Sequence, residues 1–306
     1  MTQLAELQAR HAASDALRFI ELAPDFIAVE VTTAFSTARV ALQGAHVLSW
    51  RPKGEKPVIW LSRAAKFAAG KSIRGGIPLC WPWFGPHATE AGFPGHGFAR
   101  TIPWNLLAAG KLPDGRVRLE FEPVLNDAAR AQWPHPSALK YTVTVGQELV
   151  VGLATRNTGT AAFQLGQALH TYFEVGDVRT ASVAGLEGRG YIDKVDGGKR
   201  KKQKGAVTFS GETDRVYLGT SGACAVIDPA LKRTLLITST GSRSTVVWTP
   251  WAEKAAKMGD FGRTRGKPGE DCMVCVETAN AADDVITLAP GETHRMTAQY
   301  RVIRHG

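Results

Sequence analysis

Three stretches of the sequence hold side chains of the kinds that move protons or bind anions. The densest runs from Lys71 to Arg100, KSIRGGIPLCWPWFGPHATEAGFPGHGFAR. In it Arg74 precedes Gly75-Gly76, where the missing side chains let a ligand approach the backbone. Trp81 and Trp83 flank Pro82, and flat aromatic faces suit the apolar face of a sugar ring. His96 and Arg100 bracket Gly97-Phe98, and arginine offers a fixed fork of donors matched to carboxylate or phosphate. The same residues also describe a Gly/Pro-rich connection with buried tryptophans and surface arginines.

The second stretch is Phe163–Glu174, FQLGQALHTYFE. Read as one strand, it turns Phe163, Leu165, Leu169 and Phe173 to one side and Gln164, Ala168, His170, Tyr172 and Glu174 to the other. His170 then sits mid-wall on a polar face, as a titrating group or as a histidine satisfied by a neighbour. The third, Met273–Asn280, is an apolar strand interrupted by Glu277. A carboxylate there is costly unless paired or functional, and burial raises its pKa toward the working range of a general base. Asp214, at a loop-to-strand boundary, can accept hydrogen bonds from sugar hydroxyls or cap a turn. Cys272 and Cys275 have CxxC spacing, but no second pair or histidine cluster completes a zinc site, and in an extended strand they face opposite sides.

The elements that must position these groups are short β-like runs broken by Gly, Pro, Asn and Asp. Examples are Phe26–Val31, Ala38–Leu42, Val117–Phe121, Tyr141–Val145 and Val246–Trp248. Pro113-Asp114-Gly115, Gly146-Gln147 and Pro290-Gly291-Glu292 predict three hairpins, and Gly44-Ala45-His46 a tight turn. Helical signals are few: Leu4 to about Leu17, Asp127–Gln132 capped by Asn126, and Ala252–Lys257 opened by Thr249-Pro250. Without βαβ alternation, internal repeats or a linker, the pattern is one large antiparallel β-sandwich, expected as a single domain over 1–306 with a helical extension at 1–20.

The 306 residues are 44% hydrophobic and 21% charged, ordinary for a globular chain. No apolar run approaches the ~18 residues of a membrane helix, and the start lacks the pattern of a secretory signal. Four cysteines make no disulfide scaffold, so free thiols and a cytoplasmic location are expected. The net charge of +9 suits anionic partners. Part of it lies in Lys199-Arg200-Lys201-Lys202-Gln203-Lys204, read as a solvated loop between strands. Aromatic interleaving and nucleic-acid motifs are missing, so neither nucleic acid nor membrane is an expected partner. There is no Gly-rich phosphate loop and no nucleophile elbow.

Taken in order, several segments resemble the aldose 1-epimerase superfamily, in its hexose-6-phosphate mutarotase (glucose-6-phosphate 1-epimerase) branch. They are Gly44-Ala45-His46-Val47, Arg74-Gly75-Gly76-Ile77-Pro78, Trp81-Pro82-Trp83-Phe84-Gly85, His96-Gly97-Phe98-Ala99-Arg100, Leu169-His170-Thr171-Tyr172-Phe173, Thr213-Asp214-Arg215-Val216-Tyr217, Val247-Trp248-Thr249-Pro250-Trp251 and Val276-Glu277. The resemblance implies a galactose-mutarotase-like supersandwich, with His170 as general acid and Glu277 as general base. It implies substrate contacts from Arg74, His96, Arg100, Asp214 and Trp81, a hexose 6-phosphate substrate, no cofactor, no metal and a monomer. Gly95 stands where relatives often carry a polar contact residue, and Gly259–Asp271 has no counterpart in the pattern. The other readings are a catalytically silent sugar-phosphate binder, an epimerase of unphosphorylated aldoses, and, weakest, a glycosidase using Glu277 with Asp214.

Overall fold

In the computed structural model, residues 3–11, 14–220 and 222–305 are described. The architecture is antiparallel β-sheet throughout, with three short α-helices at Gln3–Arg10, Asp127–Gln132 and Trp251–Met258. Strands Leu17–Ala23, Phe26–Thr32, Ser36–Ala41 and His46–Pro52 form a meander. A nine-stranded sheet runs from the edge strand Val207–Thr208 through Arg233–Thr240 and Thr293–Arg304 to Trp104–Lys111 at the other edge. An eight-stranded sheet, the site sheet, has the order Lys199–Lys202, Gly190–Asp193, Thr213–Leu218, Ser244–Thr249, Met273–Asn280, Gln167–Leu169 and Leu79–Cys80. Its eighth strand, Tyr172–Glu174, also pairs with Met273–Asn280.

The main core lies between the sheets, because alternate residues of each strand share a face. Leu119, Phe121, Val143, Val151 and Leu235 from the nine-stranded sheet are clustered with Leu169, Phe173, Val247, Val274 and Val276 from the site sheet. Along Met273–Asn280 the face that leaves this core carries Met273, Cys275, Glu277 and Ala279, which pack in separate clusters or line the cavity described below.

Several expected elements form as the sequence suggests. Asn126 caps its helix, its Oδ1 accepting from the Ala129 amide at 2.9 Å. The 113–115 and 146–147 turns each join paired strands. Others differ. The N-terminal helix ends at Arg10 and Leu17 already begins a strand, so the 1–20 helical extension is shorter than expected; residues 12 and 13 lie outside the described residues. Pro290-Gly291-Glu292 turns the chain but makes no hairpin: Ile286–Leu288 pairs with Phe163–Leu165, and Thr293–Arg304 pairs with two other strands. Lys199–Lys202 is itself an edge strand, not a loop. Phe163–Glu174 is three short strands, interrupted at Gly166 and again at His170-Thr171.

Gly76 illustrates how closely backbone segments meet behind the site. It has φ +75°, its carbonyl accepts from the Tyr172 amide at 3.0 Å, and a Cβ added there would meet His46 Nε2 at 2.3 Å and the Val47 carbonyl at 2.5 Å. Gly85 has a similar φ, +79°, but open space around it. Gly76→Ala is expected to cost about 2–5 kcal/mol, overpacking added to left-handed strain, against about 1–2 kcal/mol for Gly85→Ala. Urea-denaturation midpoints measure both, and equal losses would refute the packing argument.

Candidate active site

His170 and Glu277 reach one place from opposite directions along the chain. Glu277 is on the fully buried strand Met273–Asn280, opposite Val246 of its neighbour. His170 occupies the break between two short strands. Its amide donates to the Pro78 carbonyl at 3.0 Å, and the next residue, Thr171, turns inward to a 2.7 Å hydrogen bond with the Tyr300 hydroxyl. With Thr171 anchored in the core, His170 faces the other way. Its Nε2 lies 3.4 Å from Glu277 Oε1, longer than a strong hydrogen bond. The imidazole stacks on Tyr172 at 4.9 Å and 10°. Glu277 Oε2 and His170 Nδ1 are buried without hydrogen-bond partners among the described residues.

Both groups line a cavity of about 380 Å³, the size of a small-molecule site. Arg74, His96, Arg100 and Asp214 also line it, so six of the seven residues singled out from the sequence meet here. The exception is Trp81. It is 1% exposed, donates from its indole to Thr155 Oγ1 at 3.0 Å and packs edge-on against Phe98 and Trp133. It is a core residue, and the expected substrate contact from Trp81 is corrected on that ground. The aromatic walls are instead Trp248, Phe84 and Tyr172. A larger cleft of about 760 Å³, lined by Arg51, Lys53, Lys232 and Arg304 among others, includes none of the seven.

The polar groups are tied together unevenly. Arg74 Nε donates to both oxygens of Asp260, at 3.0 and 3.1 Å, its Nη1 donates to the Tyr172 hydroxyl at 2.9 Å, and its guanidinium lies 5.0 Å from the Phe261 ring centroid. His96 has φ 67°. Its amide donates to the Gly85 carbonyl at 2.7 Å, and its Nδ1 accepts from the Gly85 amide at 3.3 Å. Nδ1 as acceptor leaves the proton of the neutral ring on Nε2. Burial, reinforced by Arg100 and Lys194, pushes the His96 pKa down to about 3. Asp214, paired across strands with Trp248, has a carboxyl raised by burial and opposed by Lys194 and Lys254.

Burial also dominates the central pair. It holds His170 well below the ordinary imidazole range, with His96 and Arg100 adding to the effect. It pushes Glu277 well above the ordinary carboxylate range, against Lys194 and Arg100. The raised Glu277 follows the sequence expectation. A protonated His170 does not: desolvation favours a neutral imidazole beside a protonated carboxyl. Cys275 Sγ lies within 4.8 Å of donor atoms of both residues, but burial raises its thiol well above the usual range, so it packs as a neutral group. Cys272 precedes the strand in a tight turn, and both cysteines join one cluster with Trp60 and Tyr172 instead of facing opposite sides.

The aldose 1-epimerase family profile matches residues 28–301, nearly the whole chain. The chain belongs to the aldose 1-epimerase family. Within it, the chain is 41% identical over 247 residues to a protein of Escherichia coli named "Putative glucose-6-phosphate 1-epimerase", covering 80% of each. It is 36% identical over 269 residues to a protein of the same name from Cenchrus ciliaris, covering 84% of this chain and 79% of that one. A crystal structure described as "a putative mutarotase" from Salmonella typhimurium superposes with a TM-score of 0.86 at 36% identity, covering 95% of both chains. A galactose mutarotase-like protein of Lactobacillus casei, 12% identical, has a TM-score of 0.68 over 90% of this chain and all of that one, and shares the fold.

Against this epimerase-family background, residues the sequence reading passed over become visible. Lys194, Lys254, Phe84, Trp248, Met258 and Asp260 all line the cavity. Asp260 and Phe261 come from the 259–271 loop, where contact with Arg74 makes them meaningful. Trp248 had a signal, since alternation along Val246-Val247-Trp248 puts it on the same face as Val246, and both line the cavity.

The raised Glu277 pKa sets a sign for stability. A carboxyl whose folded pKa exceeds its unfolded value supports folding fully at low pH and loses that contribution as pH rises above the ordinary 4.5. Glu277→Gln is therefore expected to be more stable than the parent at pH 7, with the difference vanishing below about pH 4. Urea midpoints across pH measure this, and a pH-independent difference would contradict it.

Proposed function

We propose that the chain interconverts the α and β anomers of a hexose 6-phosphate, with Glu277 and His170 as the acid–base pair. The single observation that carries this reading is the meeting of the two, 3.4 Å apart, at a cavity that also gathers Arg74, Arg100 and Asp214. Ring opening needs a base for the anomeric hydroxyl and an acid for the ring oxygen, and neither redox nor group transfer. Glu277 as carboxylate takes the O1 proton; C1=O1 forms, the C1–O5 bond breaks, and His170 as imidazolium protonates O5. Rotation about C1–C2 and reclosure from the other face, with roles exchanged, complete the reaction. The enzyme ends with the protons it began with.

The neutral resting pair holds the same single proton as the imidazolium–carboxylate pair. A sugar hydroxyl donating to Glu277 and a phosphate near His170 both favour the charged form, so substrate binding itself moves the proton to where opening needs it. Charge supports the phosphate. The cavity is lined by Arg74, Arg100, Lys194 and Lys254 against Asp214 and Asp260, a surplus of two with Glu277 uncharged, close to the charge of a phosphate monoester near neutral pH. Trp248, on the cavity wall, offers an apolar face to a pyranose. All four cysteines are free, which supports a cytoplasmic setting.

His170→Ala and Glu277→Ala are each expected to lower the rate of catalysed anomer exchange on glucose 6-phosphate by about 10²–10⁴-fold with the fold retained. Two-dimensional exchange NMR at catalytic protein levels reads the rate, with free glucose and galactose 6-phosphate as comparison substrates. A folded Glu277→Ala protein working at the parental rate would sink the assignment.

A further inference from the structure

Four cations line the cavity, and they differ in how much of their hydrogen-bonding capacity is already used. Arg74 is held by Asp260 and Tyr172, and Lys254 by Glu212 at 2.5 Å. Among the described residues the Arg100 side chain makes one bond, from Nη2 to the Gly95 carbonyl at 2.8 Å, and its Nε is buried with no partner. The Lys194 ammonium, among the described residues, has only a loose ion pair, 3.8 Å from Asp214 Oδ1. Arg100 and Lys194 also share a wall. The Lys194 ammonium lies 5.1 Å from the Phe84 ring centroid, Phe84 packs edge-on to His96 at 4.8 Å, and His96 follows Gly95, the residue that Arg100 holds. Arg74 belongs to the other side, with Phe261 and with the Tyr172 on which His170 stacks.

The geometry points to Lys194, together with Arg100, as the pair that grips the substrate's phosphate, while Arg74 on the other side also holds the Tyr172 on which His170 stacks. This deepens the reading above and rests on it. A phosphate monoester needs donors that are not already committed; a three-donor ammonium on a flexible stem and the remaining Nη donors of Arg100 supply them. Lys194 keeps its stem against Phe84 and its head in the cavity, at an exposure of 39% that lets it swing from Asp214 to the incoming anion.

The test is Lys194→Gln, with Lys194→Arg as the conservative variant. Lys194 is exposed enough for both to fold. In Lys194→Gln the KM for glucose 6-phosphate and the dissociation constant for inorganic phosphate, measured by calorimetry, are expected to rise together by about 10–100-fold, with kcat within about twofold of the parent. Lys194→Arg is expected to recover most of the affinity. Unchanged phosphate binding, or a fall in kcat with KM preserved, would overturn the inference, the latter because Lys194 would then act through Asp214 or Glu277. A parent protein that binds phosphate through Lys194 yet leaves glucose 6-phosphate anomers unexchanged would defeat the proposed reaction and not this subsite.

Discussion

A carboxyl group in the middle of a wholly buried strand is the constraint around which this molecule is arranged. Glu277 is 2% exposed and has one oxygen with no partner, in a strand whose other seven residues are also buried. Such a group is tolerable when uncharged and expensive when charged. The fold keeps the cost contained by setting Glu277 beside an imidazole that is itself largely desolvated, so one proton serves both. The same burial holds it still: the strand is paired on both sides, and the inward alternates Val274 and Val276 are locked in the core. Positional rigidity is what the proposed acid–base pair needs from its scaffold.

His170 is fixed by different means, through a local irregularity in the sheet. A continuous strand would have aimed residue 170 by alternation alone. Here the chain breaks, His170 is bonded by its backbone to Pro78, and Thr171 is bonded to Tyr300 of the opposite sheet. The imidazole orientation is thereby referenced to both layers of the sandwich. The Gly75-Gly76 segment lies under the same place, with His46 Nε2 at 2.8 Å from the Gly75 carbonyl and burial pushing that histidine down to about 4. A neutral His46 donating from Nε2 is consistent with a structural role for the Gly-Ala-His turn.

The composition of the site was legible in the sequence to the extent that its members broke a local rule. Glu277 interrupts an apolar strand, His170 sits on a polar face, and Arg74 and Arg100 flank glycines that ordinary surface loops do not require. Trp81 broke no rule. A tryptophan beside a proline reads equally as wall or core, and its indole partner, Thr155, lies 74 positions away. Lys194 and Asp260 were invisible for the converse reason: each is an ordinary surface residue type in an ordinary loop, and only the closing of the sheet brings it to the cavity. Strands and tight turns were legible from alternation and turn chemistry. Which strands pair was not, as the 290–292 turn demonstrates, because pairing in a sandwich is decided by long-range burial and not by the turn.

The charge of the chain resolves into parts with separate causes. The densest basic run, Lys199–Lys202, is the outermost strand of the site sheet. An open sheet edge invites pairing with another chain, and charged side chains, lysine especially, discourage it. Its charges are also tied down locally: Lys199 and Lys201 to Asp196, Lys201 to Asp193, and Arg200 to Asp283. Those surface pairs are worth little energy, but they leave the run with little positive charge to offer an anion. The cations at the cavity are fewer and better placed. They sit beside low-dielectric walls, where each interaction with an anion is screened less than on the open surface. The cations of the densest basic run are therefore not the ones that line the cavity, and the +9 total does not by itself say where an anion would bind.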